Sequence, residues 1–73
     1  MRKAEIEKIK ADLMNFILDE LELAQDKDST MEDKLYASHR AYGALLFVNN
    51  KVISHDEKLG EWWNKEIRKK FLE

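Results

Sequence analysis

The scarcity of turn-forming residues constrains this chain more than any other feature. There is no proline, and Gly43 and Gly60 are the only glycines in 73 residues. Because glycine and proline mark turns and interrupt helices, a chain with so few of them favours long helices with few joints. A chain of this length forms at most one domain, so we expect residues 1–73 to fold as a single helical unit.

The spacing of apolar residues predicts a first helix over residues 2–25. These residues recur three and four positions apart, which places them on one helical face. The members of this face are Ile6, Ile9, Leu13, Phe16, Ile17, Leu21 and Ala24. Charged residues occupy the opposite side, so the helix is amphipathic and should pack this one face against the rest of the protein.

A second helix is predicted over residues 31–49. The segment DKDST interrupts the first pattern and supplies two N-cap residues. Ser29 and Thr30 can each form a capping box with the acidic residue three positions later. Asn49 and Asn50 tolerate the left-handed conformation that ends many helices, so we expect the second helix to stop there.

A third helix is predicted over residues 55–71. Ser54 can act as its N-cap, and Glu57 lies three positions later, where a capping box requires it. Apolar residues then recur every four positions in a core stripe of Leu59, Trp63, Ile67 and Phe71. We therefore predict an all-α fold, a small three-helix antiparallel bundle with the second helix at its centre.

Residues 45–54 also support a competing interpretation. The sequence LLFVNNKVIS matches a β-hairpin, in which two short apolar strands flank an Asn-Asn turn. An isolated two-stranded hairpin is marginal in water, and the sequence offers no third strand to pair with it. A helix followed by a turn is therefore the preferred interpretation.

The stretch AYGALLFV at residues 41–48 carries no charge, although 38% of the chain is charged. On a helical wheel the second helix has three apolar faces. The large residues of the expected core face are Met31, Leu35, Tyr42, Leu45 and Leu46. A small-residue face, where another helix could approach closely, contains Ala37, Ala41, Ala44 and Val48. The third face, the aromatic strip, contains Tyr36, Arg40, Gly43 and Phe47.

The aromatic strip is the candidate partner interface. Two neighbouring helices cover about two of the three faces, which leaves the third exposed or in contact with another chain. Interfaces are enriched in tyrosine, phenylalanine and arginine, and Gly43 permits close approach of a partner. The structural alternative is that Arg40 stacks on Tyr36 while Phe47 enters the core. Because small chains are often stabilised by oligomerisation, we expect a homodimer or another protein partner.

A strip of lysines around a tryptophan on the third helix is the alternative site. It contains Lys58, Trp62, Lys65 and Lys69. Such a strip can stack its indole on a base while the ammonium groups contact phosphates, as in proteins that bind single-stranded nucleic acid. Against nucleic acid, Glu61 and Glu66 flank the strip and the net charge is −2. A structural role, in which Trp62 packs partly against the first helix and lysine stems cover it, is therefore favoured.

No residue pattern indicates an enzyme, a cofactor or a metal site. There is no cysteine, and His39 and His55 lack the spacing of metal ligands. Ser38 and His39 form no catalytic pair, because adjacent residues on a helix point about 100° apart. No apolar run resembles a signal peptide or is long enough to span a bilayer, so we expect no membrane association and a cytoplasmic protein. The sequence thus predicts a non-enzymatic interaction module that self-associates through the second helix and could serve as a small regulator or inhibitor.

Overall fold

Three helical segments make up the protein, and no residue lies in a β-strand. A computed structural model describes residues 1–73. In it, α1 spans Lys3–Ala24, α2 spans Met31–Phe47 and α3 spans Glu57–Trp62. Both α1 and the helical segment that begins with α3 pack against α2. The predicted all-α three-helix bundle with a central second helix is therefore confirmed.

Both α2 and α3 continue into helical turns of other types. A π-helical turn, Val48–Val52, follows α2 and leads to extended backbone at Ile53. After α3 the chain forms a π-helical turn, Trp63–Ile67, and a 3-10 helix, Arg68–Leu72. The β-hairpin interpretation of residues 45–54 is therefore wrong.

Thr30 and Asp33 close the turn between α1 and α2. The Thr30 Oγ1 accepts a hydrogen bond from the Asp33 N–H at 3.1 Å, and the Asp33 carboxylate accepts one from the Thr30 N–H at 3.0 Å. The capping box predicted at Thr30 is confirmed. Ser29 does not cap α2, because its hydroxyl donates to the Leu23 carbonyl at 2.6 Å and satisfies an acceptor near the end of α1.

The buried side chain of Asn49 fixes the connection between α2 and α3. Its Oδ1 accepts from the backbone N–H of Asp56 at 2.8 Å, and its Nδ2 donates to the Asp56 carbonyl at 3.3 Å. Asp56 in turn caps α3 by accepting from the Lys58 N–H at 2.9 Å. The cap predicted at Ser54 is wrong, because this pairing with Asn49 places Asp56 at the start of α3. No residue has a positive φ, so the left-handed helix end predicted at Asn49 and Asn50 is also wrong.

Twelve buried apolar residues form one core along the bundle. The C-terminal segment buries its whole predicted stripe: Leu59, Trp63, Ile67 and Phe71. Residues four apart drift by about 40° around an α-helix, and the wider π-helical turn at Trp63–Ile67 offsets part of that drift. From α1 the core takes Leu13, Ile17, Leu21 and Ala24. Phe16, predicted on the same face, is 42% exposed and lies outside the core.

The core face predicted for α2 is wrong. Of its large residues only Leu45 is buried, whereas Ala37 and Ala41 of the small-residue face are buried completely or nearly so. Small side chains let helix backbones approach closely, which favours the burial of a face made of alanines. The remaining large residues therefore lie on the surface: Met31, Leu35, Tyr42 and Leu46.

An ion pair joins α1 to the start of α3. The Nζ of Lys10 lies 2.6 Å from Oδ2 of Asp56, and the two side chains are 19% and 23% exposed. The hydrogen bond from Lys10 lowers the pKa of Asp56 below its ordinary value. The same bond raises the pKa of Lys10. Both shifts favour the charged forms, so the pair stabilises the folded state while both groups are ionised.

We expect this contribution to be lost in acid. The folded-state pKa of Asp56 lies below the unfolded value, so its contribution is complete above about pH 4 and disappears as the pH falls through the folded value. The Lys10 contribution is complete below about pH 10 and disappears as the pH rises through its raised pKa. In urea unfolding, Asp56→Asn keeps a capping side chain but loses the pair. At neutral pH its free energy of unfolding should therefore be lower than that of the parent, and this difference should narrow as the pH falls below about 4.

Asp12→Asn is the matched control for this titration. Asp12 pairs with Lys8 at 3.1 Å, but the Lys8 and Asp12 side chains are 76% and 65% exposed. Exposed ion pairs contribute little to stability, so the free energy of unfolding of this variant should equal that of the parent at every pH. The prediction would be contradicted if Asp56→Asn and the parent differed by the same free energy of unfolding from neutral to strongly acidic pH.

Candidate partner-binding surface

The side of α2 that faces away from the core carries much of the exposed apolar surface. Twelve large apolar residues of the chain are exposed, and six of them belong to α2. Those six are Met31, Leu35, Tyr36, Tyr42, Leu46 and Phe47. This concentration on one helix of 17 residues is typical of an interaction surface rather than of scattered exposed residues.

Three residues of the aromatic strip are free to meet a partner. Tyr36 is 55% exposed and Phe47 is 61% exposed. Gly43 is exposed as well, and no atom lies within 4 Å of the position that a Cβ would occupy there. Phe47 does not enter the core, so that part of the structural alternative is wrong. A partner could therefore contact the α2 backbone at Gly43 directly.

The fourth residue of the strip, Arg40, has an intramolecular partner on α1. Its Nε donates to both carboxylate oxygens of Glu20 at 3.1 Å, and its Nη2 donates to Oε2 at 2.8 Å. The hydrogen bond to Glu20 raises the pKa of Arg40. Because Glu20 is only 8% exposed, the guanidinium compensates a buried carboxylate and holds α2 in a fixed orientation on α1. Arg40 thus positions the strip, and its side chain remains 54% exposed.

Glu20 is a residue that the sequence interpretation missed. It lies three positions after Ile17 and four before Ala24, so it shares the core-facing spacing of α1. A carboxylate at such a core-facing position requires a cationic partner elsewhere in the chain. This requirement is the feature of the sequence from which the role of Glu20 could have been predicted.

The residues of the mispredicted core face extend the surface toward the C-terminal segment. Tyr42 stacks on Trp63 with ring centroids 5.4 Å apart. These two rings line an open groove with a volume of about 420 Å³, and Leu35 and Leu72 line it with them. Together with the exposed part of the aromatic strip, these residues form the outer α2 surface: Leu35, Tyr36, Tyr42, Gly43, Leu46 and Phe47.

The lysine strip of the third segment is interrupted by acidic residues. Lys58, Trp62 and Lys65 line a shallow depression, and Glu61 and Glu66 line it with them. Lys69 lies outside this depression. Trp62 is half-buried and packs against the core. Stacking on a base would require an indole face that the protein does not cover.

The structure contains neither a cluster of metal-binding side chains nor a membrane-spanning helix. No group of three or more histidine, aspartate or glutamate side chains is placed to hold a metal ion. None of the helices combines the length and the apolar character needed to cross a bilayer. No protein-family model, curated protein or solved structure matches the chain. The functional inference therefore depends on the geometry of the outer α2 surface.

Proposed function

We propose that this protein is a non-enzymatic interaction module that forms a homodimer through the outer α2 surface. The accessible surface area carries this proposal: the chain exposes 5340 Å². A folded monomeric protein of 8.7 kDa exposes about 4,700 Å². The excess of roughly 600 Å² approaches the 800 Å² or so that each partner buries in a stable complex of ordinary size.

The shape of the molecule supports pairing along its long side. Its extents are 41 × 17 × 17 Å, and the radius of gyration is 12.7 Å. A compact domain of this length has a radius of gyration of about 11 Å. Because α2 lies at the centre of the bundle and exposes a row of large apolar residues, a second copy alongside it would cover much of the excess surface.

The self-associating module would act in the cell by binding rather than by chemistry, and we propose a small regulator or inhibitor as its role. We propose a cytoplasmic location, with which the absence of cysteine is compatible.

The mass in solution tests the proposal directly. Light scattering on a sizing column, from low micromolar to near-millimolar concentration, should give a mass that rises to about twice 8.7 kDa. Association should strengthen with concentration, as mass action requires for a homodimer. A mass of one chain at every concentration would contradict the proposal.

The alternative function is a nucleic-acid-associated protein that uses Lys58, Trp62, Lys65 and Lys69. We expect single-stranded oligonucleotide to leave Trp62 fluorescence unchanged, because Glu61 and Glu66 repel phosphates and the indole is half-buried. The measurement uses Trp63→Phe, which keeps an aromatic ring in the core and leaves Trp62 as the only indole. Quenching at low salt that disappears at high salt would favour the alternative, since phosphate contacts weaken steeply with salt.

A further inference from the structure

We propose that the two copies pair with antiparallel α2 helices that cross at Gly43, so that Glu32 of each copy faces Lys51 of the other. This inference rests on the proposed self-association and adds an orientation and a register to it. The occupant of the outer α2 surface is thus a second copy of this chain, related to the first by a two-fold axis.

Gly43 is suited to lie on that axis. In a two-fold dimer of antiparallel helices, the residue at the axis meets its own copy, so it must tolerate its own side chain at the point of closest approach. Gly43 is the residue of the outer α2 surface without a side chain, and no atom lies within 4 Å of its missing Cβ. Packed helix axes lie 8–10 Å apart in general, and a glycine at the crossing permits the short end of that range.

The flanking residues complement one another in this register. In a two-fold antiparallel pair, residues on the same side of the contact line meet, one from before Gly43 and one from after it. On a helix, Arg40 and Phe47 lie on one side of Gly43, and His39 and Leu46 lie on the other. Phe47 would therefore lie on the side chain of Arg40 of the second copy, and Leu46 would lie beside His39. Phe47 is 61% exposed in the single chain, so its ring has most of its surface available for burial. An aromatic ring covered near the centre of an interface is the usual anchor of such a contact.

Charge decides between antiparallel and parallel pairing. Glu32 and Asp33 lie in the first turn of α2, and Lys51 lies in the π-helical turn that follows the helix. Parallel pairing would place the acidic first turns side by side, where like charges repel. Antiparallel pairing brings each acidic first turn beside Lys51 of the second copy and also opposes the two helix dipoles favourably.

The register also places these charges within reach. Glu32 precedes Gly43 by eleven positions and Lys51 follows it by eight. The difference of three positions corresponds to about 4.5 Å along a helix, which the flexible lysine side chain can span. The Glu32 carboxylate is held on this side of α2, because its Oε1 accepts a hydrogen bond from the Tyr36 hydroxyl at 3.0 Å.

Cross-linking between introduced cysteines tests the orientation, since the chain has no cysteine of its own. Glu32→Cys and Lys51→Cys chains, distinguished by a mass tag, are mixed and treated with a short bis-maleimide. The yield of the product that joins Glu32→Cys to Lys51→Cys should exceed the yield from cysteines outside the interface roughly tenfold or more. The reason is that proximity in the dimer raises the effective thiol concentration toward millimolar. Lys65→Cys mixed with either variant gives the yield for a cysteine outside the interface.

Each other outcome has a definite meaning. Products of Glu32→Cys with itself and of Lys51→Cys with itself, in excess of the mixed product, would overturn the antiparallel orientation and leave self-association standing. A dimeric mass with none of these products would overturn the use of α2 in this register. A monomeric mass at every concentration would contradict the proposed function itself, so the two failures are distinguishable.

Substitution of the two glycines tests the crossing position. Gly43→Ala adds a methyl group at the proposed axis in both copies, so the dissociation constant should rise by about tenfold or more. The same change should raise the melting temperature of the single chain, because alanine favours helix and meets no atom within 4 Å. Gly60→Ala adds an equally unobstructed methyl group within α3 and should leave the dissociation constant unchanged. Equal dissociation constants for Gly43→Ala and the parent would overturn the crossing at Gly43.

Discussion

We expect Phe47→Glu to keep the protein monomeric at concentrations where the parent chain is dimeric. Each copy would bury a carboxylate in place of a ring, and loss of one such anchor costs about 2 kcal/mol or more. Because a symmetric dimer contains the change twice, the total of about 4 kcal/mol corresponds to roughly a 1,000-fold rise in the dissociation constant. Sedimentation equilibrium over a wide concentration range measures this shift.

The monomer itself should tolerate this substitution. Phe47 is 61% exposed and lies outside the core, so its replacement leaves no cavity. A carboxylate near the end of α2 opposes the helix dipole by about 0.3–1 kcal/mol, which limits the expected loss of unfolding free energy. Thermal melting followed by circular dichroism separates this small loss from a loss of association.

Leu18→Glu provides the matched control. Leu18 is 44% exposed on α1, outside the outer α2 surface, and receives the same change from an apolar side chain to a carboxylate. We expect its dissociation constant to equal that of the parent chain. Dissociation caused by Leu18→Glu but not by Phe47→Glu would move the interface from α2 to α1.

Phe71→Ala should be the most destabilising single substitution that we consider. The side chain of Phe71 is fully buried, and its ring lies 5.7 Å from that of Trp63. Removing a buried phenylalanine costs about 3–5 kcal/mol, whereas a chain of this length has a total stability of about 4–11 kcal/mol. The variant should therefore lose between about a quarter and all of its unfolding free energy, measured by urea unfolding followed by circular dichroism.

Leu72→Ala, one position later, is the control for this experiment. Leu72 is 51% exposed, and substitutions at such positions change stability by about 0.5 kcal/mol or less. The comparison separates the contribution of the core from any general effect of altering the C-terminal segment. A loss below about 1 kcal/mol for Phe71→Ala would show that this segment does not complete the core.

Periodicity predicted most of the core residues where a helix has one apolar face, although Phe16 of α1 lies outside the core. In the C-terminal segment the stripe from Leu59 to Phe71 had a single possible interpretation, and all four of its residues are buried. α2 has three adjacent apolar faces, so its own periodicity does not determine which of them packs. The buried face is that of Ala37 and Ala41, and which face packs depends on α2 together with the helices around it.

Local signals also failed where a distant residue intervenes. Thr30 and Ser54 each precede an acidic residue at the spacing of a capping box, yet only Thr30 forms one. The difference arises because Asn49 holds the backbone of Asp56. Likewise, the pairing of Arg40 with Glu20 joins residues twenty positions apart. The aromatic strip could be proposed from residue types, whereas the exposure of Tyr36, Gly43 and Phe47 depends on helix packing.

The short connections between the helices have a kinetic consequence. Helical bundles whose contacts are close in sequence fold within microseconds to milliseconds, and without proline no slow isomerisation delays this chain. Two proteins at micromolar concentration meet productively at about 0.1–10 per second. Each newly made chain would therefore finish folding and expose the outer α2 surface for about a second before its copy arrives. During that interval any other protein with a complementary surface would compete with the proposed second copy for the same site.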